Sequence, residues 1–553
     1  MFTAANFMRC FFLAACAAGL RYALAPVDNR GRNHWLPPRW AIWVDYFDWW
    51  LNFGAFVVLA AGIVCVLGAM RPAFYRWCVA VAIGSLLALG IEIAQFRIPG
   101  RMPDPGDLTA ALAGSMIGAS VAWSRRGRER KRTGGVEADR PMRICFLDQT
   151  GQLGGAELML LDLAARARDQ HEIEVILFND GPFRAALEAR GVRCRVDPLG
   201  KAAASRSKES GWKSMVRELP EVWGLACRLA RRIQEFDADV VYSNTAKALL
   251  VGALAARWAR RPLVHHLHDI IDAAHFSRAN RWLLVGAANW GAGGVIANSE
   301  ATAAAFVTSG GRRELIRVIP NGFEATRFER PGEEMLDRLR AEWPWNVRGD
   351  GGCAFGLFGR LTAWKGQMEF LEALAAVPAA RGVIVGAALF TEEDRAYEET
   401  LRRRAEGADL RDRVWFTGFR TDVVGLMHAV DVVVHCSTQP EPFGRVIVEA
   451  QLCGVPVIAT RAGGAAEIVN DGETGLLCAP GDRGELAERM AWMIQETGKR
   501  EQMGIMAREE ARTRYGLEKV FKETSEFLGE VLNRDCQSGP VLVKLQADND
   551  ESF

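Results

Sequence analysis

The sequence predicts two doubly wound, Rossmann-like α/β domains preceded by an α-helical transmembrane domain of about four helices. Three observations carry this expectation. From Arg143 onward, short β-branched runs alternate with longer helical patterns, which implies parallel sheets covered by helices on both faces. The alternation is interrupted near residues 318–328, where Pro320, Asn321 and Gly322 punctuate it, so two sheets are expected instead of one. The N-terminal region is apolar, aromatic-rich and almost without Lys, with stretches of membrane-spanning length.

The 553 residues suffice for about three or four domains at roughly 150 residues each. A composition of 49% hydrophobic and 24% charged residues with a net charge of +1 argues against nucleic acid as a main partner and excludes disorder as the dominant state. The 12 Cys contain no C-x-x-C pair, so neither a zinc ribbon nor a thioredoxin-like site is supported. A reduced, cytoplasmic setting for the soluble bulk is preferred.

Four apolar stretches, Phe7 to Ala25, Trp49 to Met70, Trp77 to Phe96 and Leu108 to Trp123, make up a domain over residues 1–124. A helix needs about 20 residues to cross the hydrocarbon core, and the second stretch, with Asn52 as its one strongly polar member, meets that most clearly. The first holds Arg21 and has features of a signal peptide, but the spans that follow favour an uncleaved anchor. Trp35, Trp40, Trp43, Trp49 and Trp50 precede the second stretch, where indole rings favour the interface. The basic run from Arg125 to Arg132 follows the fourth and places that end in the cytoplasm; Arg30, Arg32, Arg39, Arg97 and Arg101 in the outer loops weaken this bias without reversing it. Four spans then leave both termini inside. Glu92, Gln95, Arg101, Asp107 and Gly114 form a polar pattern that resembles the VanZ-like membrane family, with Ala111 where that pattern has Asn. The resemblance implies a membrane module, and the polar groups read as structural glue between helices. Residues 125–141 read as an exposed basic linker.

The soluble strands are read at RICFL, EIEVILF, DVVYS, PLVHHLH and GVIAN, then at AFGLF, GVIVG, RVWF, DVVVH and PVIA. After the first comes a loop with Gly151, Gly154 and Gly155, whose backbone could approach a phosphate or sugar, although a plain strand-to-helix turn explains it nearly as well. The order is not G-x-G-x-x-G, which disfavours a dinucleotide cofactor. In the second set, Arg360 and Lys365 stand five residues apart on a loop feeding a helix, where both can face one diphosphate. The most specific segment spans residues 435–477. It carries Glu441 and Glu449 with Gly444 between them, and Glu449 is expected two turns into the following helix.

These segments together resemble glycosyltransferase family 4, of the GT-B fold, over about residues 142–530. The resemblance rests on GGAE at Gly154–Glu157, HD at His268–Asp269, NSE at Asn298–Glu300, PNG at Pro320–Gly322, GRLTAWKG at Gly359–Gly366, FTGF at Phe416–Phe419 and EPFGRVIVEA at Glu441–Ala450. It implies that Arg360 and Lys365 hold the donor diphosphate, Glu441 the donor sugar's hydroxyls and Glu449 the ribose, with His268 beside the reacting sugar. Gly154, Gly155, Phe443 and Gly444 complete the expected donor-binding set. The family retains anomeric configuration and uses the nucleotide sugar as a co-substrate, with no cofactor and no bound metal. The expected division is an acceptor-side domain at 142–325, a donor-side domain at 326–530 and a flexible tail at 531–553. The implied function is sugar transfer to a lipid-linked or cell-surface polysaccharide acceptor by an integral membrane enzyme with cytoplasmic catalytic domains; the alternative is a catalytically silent nucleotide-sugar sensor or scaffold.

Three other chemistries are disfavoured. Glycoside hydrolysis needs two carboxylates on facing walls, whereas Glu441 and Glu449 share one local segment. His265, His266 and His268 lack a further ligand at metal-site spacing. The Asp237 and Asp239 pair precedes its apolar strand, which is the wrong end for a DxD metal signature.

Overall fold

The computed structural model describes residues 141–199, 212–345, 352–388 and 391–537, with the isolated helical positions 81, 83, 115 and 116. Apart from those positions, the apolar stretches and their polar pattern lie outside the described residues, as does the linker up to residue 140. Among the described residues no helix is long and apolar enough to cross a membrane. The four long segments belong to one compact unit, Gly134–Ser538.

The first lobe runs β1 (Arg143–Asp148), α1 (Gly155–Ala167), β2 (Glu172–Leu177), α2 (Pro182–Ala189), β3 (Cys194–Val196), α3 (Trp212–Glu235), β4 (Val240–Ser243), α4 (Ala246–Ala259), β5 (Leu263–Leu267), α5 (Arg278–Gly291), β6 (Gly294–Ala297), α6 (Glu300–Thr308) and β7 (Ile316–Val318). Its strands pair in parallel in the order β3-β2-β1-β4-β5-β6-β7. The second lobe runs α7 (Glu333–Ala341), β8 (Cys353–Phe358), α8 (Gln367–Ala376), β9 (Ala380–Val385), α9 (Glu392–Ala405), β10 (Val414–Gly418), α10 (Val423–Ala429), β11 (Val432–His435), α11 (Arg445–Leu452), β12 (Val457–Thr460), α12 (Ala465–Ile468), β13 (Gly475–Cys478), α13 (Arg483–Gln495) and α14 (Thr497–Tyr515). Its parallel order is β10-β9-β8-β11-β12-β13.

The two Rossmann-like sheets are those the alternation predicts. Their strands read as unbroken apolar runs because both faces are covered. In β8, Phe355 and Leu357 pack into one core with Phe370 and Leu374, while Ala354 and Phe358 enter another with Val433 and Ile447. β3, β7 and β13 were not among the strands read from sequence; each is only three or four residues long. Strand order reverses between β1 and β4 in the first sheet and between β8 and β11 in the second. At such switch points neighbouring loops diverge and leave a crevice outside the strands' carboxyl ends. Asp237 and Asp239 stand at the opposite edge, before β4, where both are tied to Arg143.

Residues 531–537, expected in a flexible tail, are helical, and residues 538–553 lie outside the described residues. Helix α15 (Leu517–Gln537) continues through that boundary because Phe527, Leu528, Val531 and Leu532 are buried in the first lobe's core, beside Ile144 and Ile296. The helix follows α14 of the second lobe and packs on the first, so the chain crosses between lobes twice. A Cβ on Gly294 would stand 2.7 Å from the Phe527 ring and 2.9 Å from Val531, so β6 needs glycine there to admit the helix. Replacing Phe527 by Ala should cost about 3–5 kcal/mol in the first lobe's unfolding transition, as a buried aromatic truncation does. Denaturant melts that differ by less than about 1 kcal/mol would contradict this packing role.

Candidate active site

Every predicted site residue is found at the carboxyl ends of the strands or on a helix that follows them. In the second lobe, the loop after β8 carries Gly359 to Gly366 and closes on the loop after β11. The Thr438 N–H donates to the Trp364 carbonyl at 2.8 Å. Gly366 has φ +76°, and a Cβ there would lie 2.0 Å from the Cys436 carbonyl oxygen, so only glycine lets the loops meet this closely. That approach brings Lys365 to Glu441 across 76 residues of sequence, with Nζ 2.5 Å from Oε1. Arg360 lies on the same side: its guanidinium is 5.9 Å, and the Lys365 ammonium 4.5 Å, from the Trp364 ring centre. The two cations therefore share one indole as a neighbour.

Glu441 is 7% exposed. His435 Nε2, at 2.8 Å, and Ser437 Oγ, at 2.5 Å, donate to the same carboxylate oxygen as Lys365. Burial by itself would raise the Glu441 pKa, but the charges and hydrogen bonds of His435 and Lys365 hold it well below the usual carboxylate range. The group stays an anion, fixed in place, whose role as an acceptor of hydrogen bonds is built in.

Gly444, with φ +109°, turns the chain into α11. Glu449 is the fifth residue of that helix, about one turn in and not two, and pairs with Arg445 at 3.3 Å. Phe443 is buried in the second lobe's core, stacked on Phe323 at 6.4 Å and edge-on to Tyr515. Its ring thus serves packing, which leaves its backbone to meet a donor. Arg445, not singled out from sequence, lies over the Phe323 ring at 4.5 Å and keeps a buried Nη1 without a hydrogen-bond partner. A Cβ on Gly155 would stand 3.2 Å from the Arg445 side chain, so the first lobe's glycine loop faces α11 directly.

In the first lobe, residues at the ends of β1, β4 and β5 make a polar row. Asp148 Oδ2 accepts from Asn244 Nδ2 at 2.7 Å, and Asn244 Oδ1 meets His268 Nε2 at 2.9 Å. The Gly154 N–H donates to Glu157 and caps α1. Glu157, Asn244 and His268 border a cavity of about 490 Å³ whose other walls come from Leu249, Phe276, Leu284 and Phe306. His265 and His266 are committed to Ser243 and Tyr242 at 3.0 and 2.6 Å. Desolvation pushes the His265 pKa down to about 4 and that of His268, with repulsion from His265 and Arg445, to about 3. Both rings are neutral near pH 7. Among the described residues no group of three or more His, Cys, Asp or Glu side chains could hold a metal ion.

The lobes are locked beside this cleft. Ser299 and Thr302 hydroxyls donate to the Pro442 carbonyl at 2.5 and 3.2 Å, and Glu467 caps α6 by accepting from the N–H groups of Glu300 and Ala301 at 2.9 and 2.7 Å. Asp148, Asn244, His435 and Ser437 were missed in the sequence. The available signal was a polar residue closing an apolar strand at a switch point.

Two doubly wound lobes facing each other across a cleft, with paired cations on one wall and a polar row on the other, define a GT-B glycosyltransferase. The group 1 glycosyl transferase model matches residues 353–510, the glycosyl transferase 4-like domain matches 154–322 and the VanZ/LLP1 model matches 17–126. The crystal structure of Anabaena HepE in complex with UDP-glucose is 40% identical, with a TM-score of 0.62, covering 70% of this chain and 100% of that one. The GDP-mannose-dependent α-(1-6)-phosphatidylinositol monomannoside mannosyltransferase of Mycobacterium tuberculosis is 28% identical over 319 residues, 54% of this chain and 78% of that protein. The N-acetyl-α-D-glucosaminyl L-malate synthase of Bacillus anthracis is 32% identical over 142 residues, which cover 26% of this chain and 37% of that enzyme. The chain belongs to the group 1 glycosyl transferases, fused to an N-terminal VanZ-like domain.

Burial and the neighbouring Glu157 carboxylate raise Asp148 from 3.8 to about 7, against hydrogen bonds that lower it. A carboxyl raised on folding holds its proton more tightly in the folded chain, so its contribution to stability falls as pH climbs from about 4 through about 7. Asp148→Asn removes this titration while keeping an oxygen to accept from Asn244. Its stability relative to the parent should be greater at about pH 8 than at about pH 5, by on the order of 2 kcal/mol. A difference of the opposite sign in thermal melts would refute the raised value.

Proposed function

We propose that the protein is a membrane-anchored, retaining, metal-independent glycosyltransferase that moves a sugar from a nucleotide donor to a lipid-linked or cell-surface polysaccharide acceptor. The observation that carries this reading is the convergence of Arg360, Lys365 and Glu441 at the second sheet's switch point, opposite Gly155 and His268. Breaking a sugar–phosphate bond leaves negative charge on the departing nucleotide. Cations placed in advance stabilise that charge more in the transition state than in the ground state. Arg360 and Lys365 take this role, Glu441 accepts from hydroxyls of the transferred sugar, Glu449 from the ribose, and His268 lies beside the reacting sugar. Backbone at Gly154, Gly155 and Gly444 allows close approach. No side-chain nucleophile is needed.

The donor to test first is a uridine diphosphate sugar, because HepE, at 40% identity, was crystallised with UDP-glucose. We assign the acceptor side to residues 142–325 and the donor side to 326–530. The match of 17–126 to the VanZ/LLP1 model supports an anchor in residues 1–124, and the basic linker supports a cytoplasmic location for the catalytic lobes. Tethering raises the effective concentration of a membrane-borne acceptor at the cleft without any new contact.

Full-length protein given UDP-glucose should release UDP, with chelator present or absent. Arg360→Ala and Lys365→Ala should each lower kcat at least about ten-fold, which needs only about 1.4 kcal/mol. Undiminished turnover in both variants would remove the diphosphate assignment, and activity lost to chelator and restored by manganese would remove metal independence. Reporter fusions at Thr133 and at Phe553 should both report the cytoplasmic side; an external signal from either overturns the four-span topology.

A further inference from the structure

The row formed by Asp148, Asn244 and His268 contains enough geometry to place a proton. Asn244 Nδ2 lies 2.7 Å from Asp148 Oδ2 and 3.2 Å from the Ala156 carbonyl oxygen. A peptide carbonyl can only accept, so the amide must direct its NH₂ toward Ala156 and Asp148, which leaves Oδ1 toward His268. Oδ1 in turn can only accept, and His268 Nε2 stands 2.9 Å from it. The hydrogen on that ring must therefore sit on Nε2. With the ring neutral, Nδ1 carries a lone pair.

We infer that Asn244 is a positioning residue for sugar transfer: it fixes His268 in the Nε2–H form and so presents the Nδ1 lone pair to a hydroxyl of the bound substrate. The same amide also spans β1, the start of α1 and the end of β5, so the orientation of His268 is tied to the glycine loop that precedes α1. The charged and titratable groups around the ring are His265 and His266 on β5, Asp269 next to it in the chain, Asp148 on β1, Glu157 on α1 and Arg445 on α11 of the second lobe. Among the described residues the ring's hydrogen bond is made through Nε2, to Asn244. His266, stacked on His268 at 4.0 Å between ring centres, holds the plane of the ring, while Asn244 holds its edge.

This inference rests on the role proposed for His268, and the experiment separates the two. In full-length protein labelled with ¹⁵N-histidine, the signals lost in His268→Ala should belong to a neutral ring protonated at Nε2; a ring protonated at Nδ1 overturns the inference. UDP release from UDP-glucose gives the second readout. Asn244→Leu keeps the branched shape and removes the acceptor, and should lower kcat at least about ten-fold with donor KM within about two-fold. The exchange Asp148→Asn with Asn244→Asp rebuilds an oxygen opposite Nε2–H and a donor opposite that carboxylate, and should recover kcat to within about three-fold of the parent. An Asn244→Leu variant with parental kcat, or an exchange variant that melts like the parent yet turns over no faster than Asn244→Leu, overturns the inference. If His268→Ala itself retains full kcat, the proposed role of His268 fails first.

Discussion

A carboxylate at 7% exposure must find its counter-charges inside the protein, and Glu441 finds them by drawing three elements together. Lys365 comes from the loop after β8, His435 from the end of β11 and Ser437 from the loop beyond it. Leaving such a charge without partners would cost several kcal/mol, so the loops have little freedom to part. Gly366 is required because the loops must touch, and the touch is required because Glu441 is buried. The rigidity that results suits a site where charge develops during reaction, since preplaced groups need no rearrangement at that moment.

The same logic extends across the cleft. Glu467 of the second lobe satisfies N–H groups at the start of α6 in the first, and the Pro442 carbonyl accepts two hydroxyls from that same turn. The first turn of a helix has donors that its own carbonyls cannot serve. Here the missing acceptors come from the segment that also carries Glu441, so capping one helix aligns the two walls of the site. Helix α15 adds an apolar fastening on the outside, with Arg166 holding Glu518 by two hydrogen bonds and lying over Phe521.

Both sheets were legible in the sequence because buried parallel strands leave long apolar runs, as in VVYS and CAFGLF. β3 and β7 escaped because each is three residues long and only partly buried at a sheet edge, which leaves no apolar run to read. Arg360, Lys365 and Glu441 were legible by their place on loops at strand ends and by family resemblance. Asn244 was not, because its importance follows from β4 lying beside β1, a neighbour 96 residues away in sequence. The packing of Phe443 was illegible for the converse reason: it sits between Glu441 and Gly444 in the chain, yet its ring turns into the core against Phe323 and Tyr515. Helix α15 was cut short on sequence grounds since its buried face is completed by the other lobe and not by its sequence neighbours.

Arg445 and Lys365 show how charge is balanced at the cleft. Lys365 is neutralised by Glu441 and Arg445 is paired with Glu449, so two of the cations on these segments already have a carboxylate partner. On the glycosyltransferase reading, a nucleotide diphosphate enters a site whose positive charge is present but shared, and it competes with two carboxylates for those cations. Both carboxylates are then released toward hydroxyls, Glu441 to the sugar and Glu449 to the ribose. A donor carrying diphosphate and hydroxyls together satisfies every group in this exchange, whereas an inorganic anion would free the carboxylates with nothing to donate to them. On that reading, the pairing that stabilises the site also selects the whole donor.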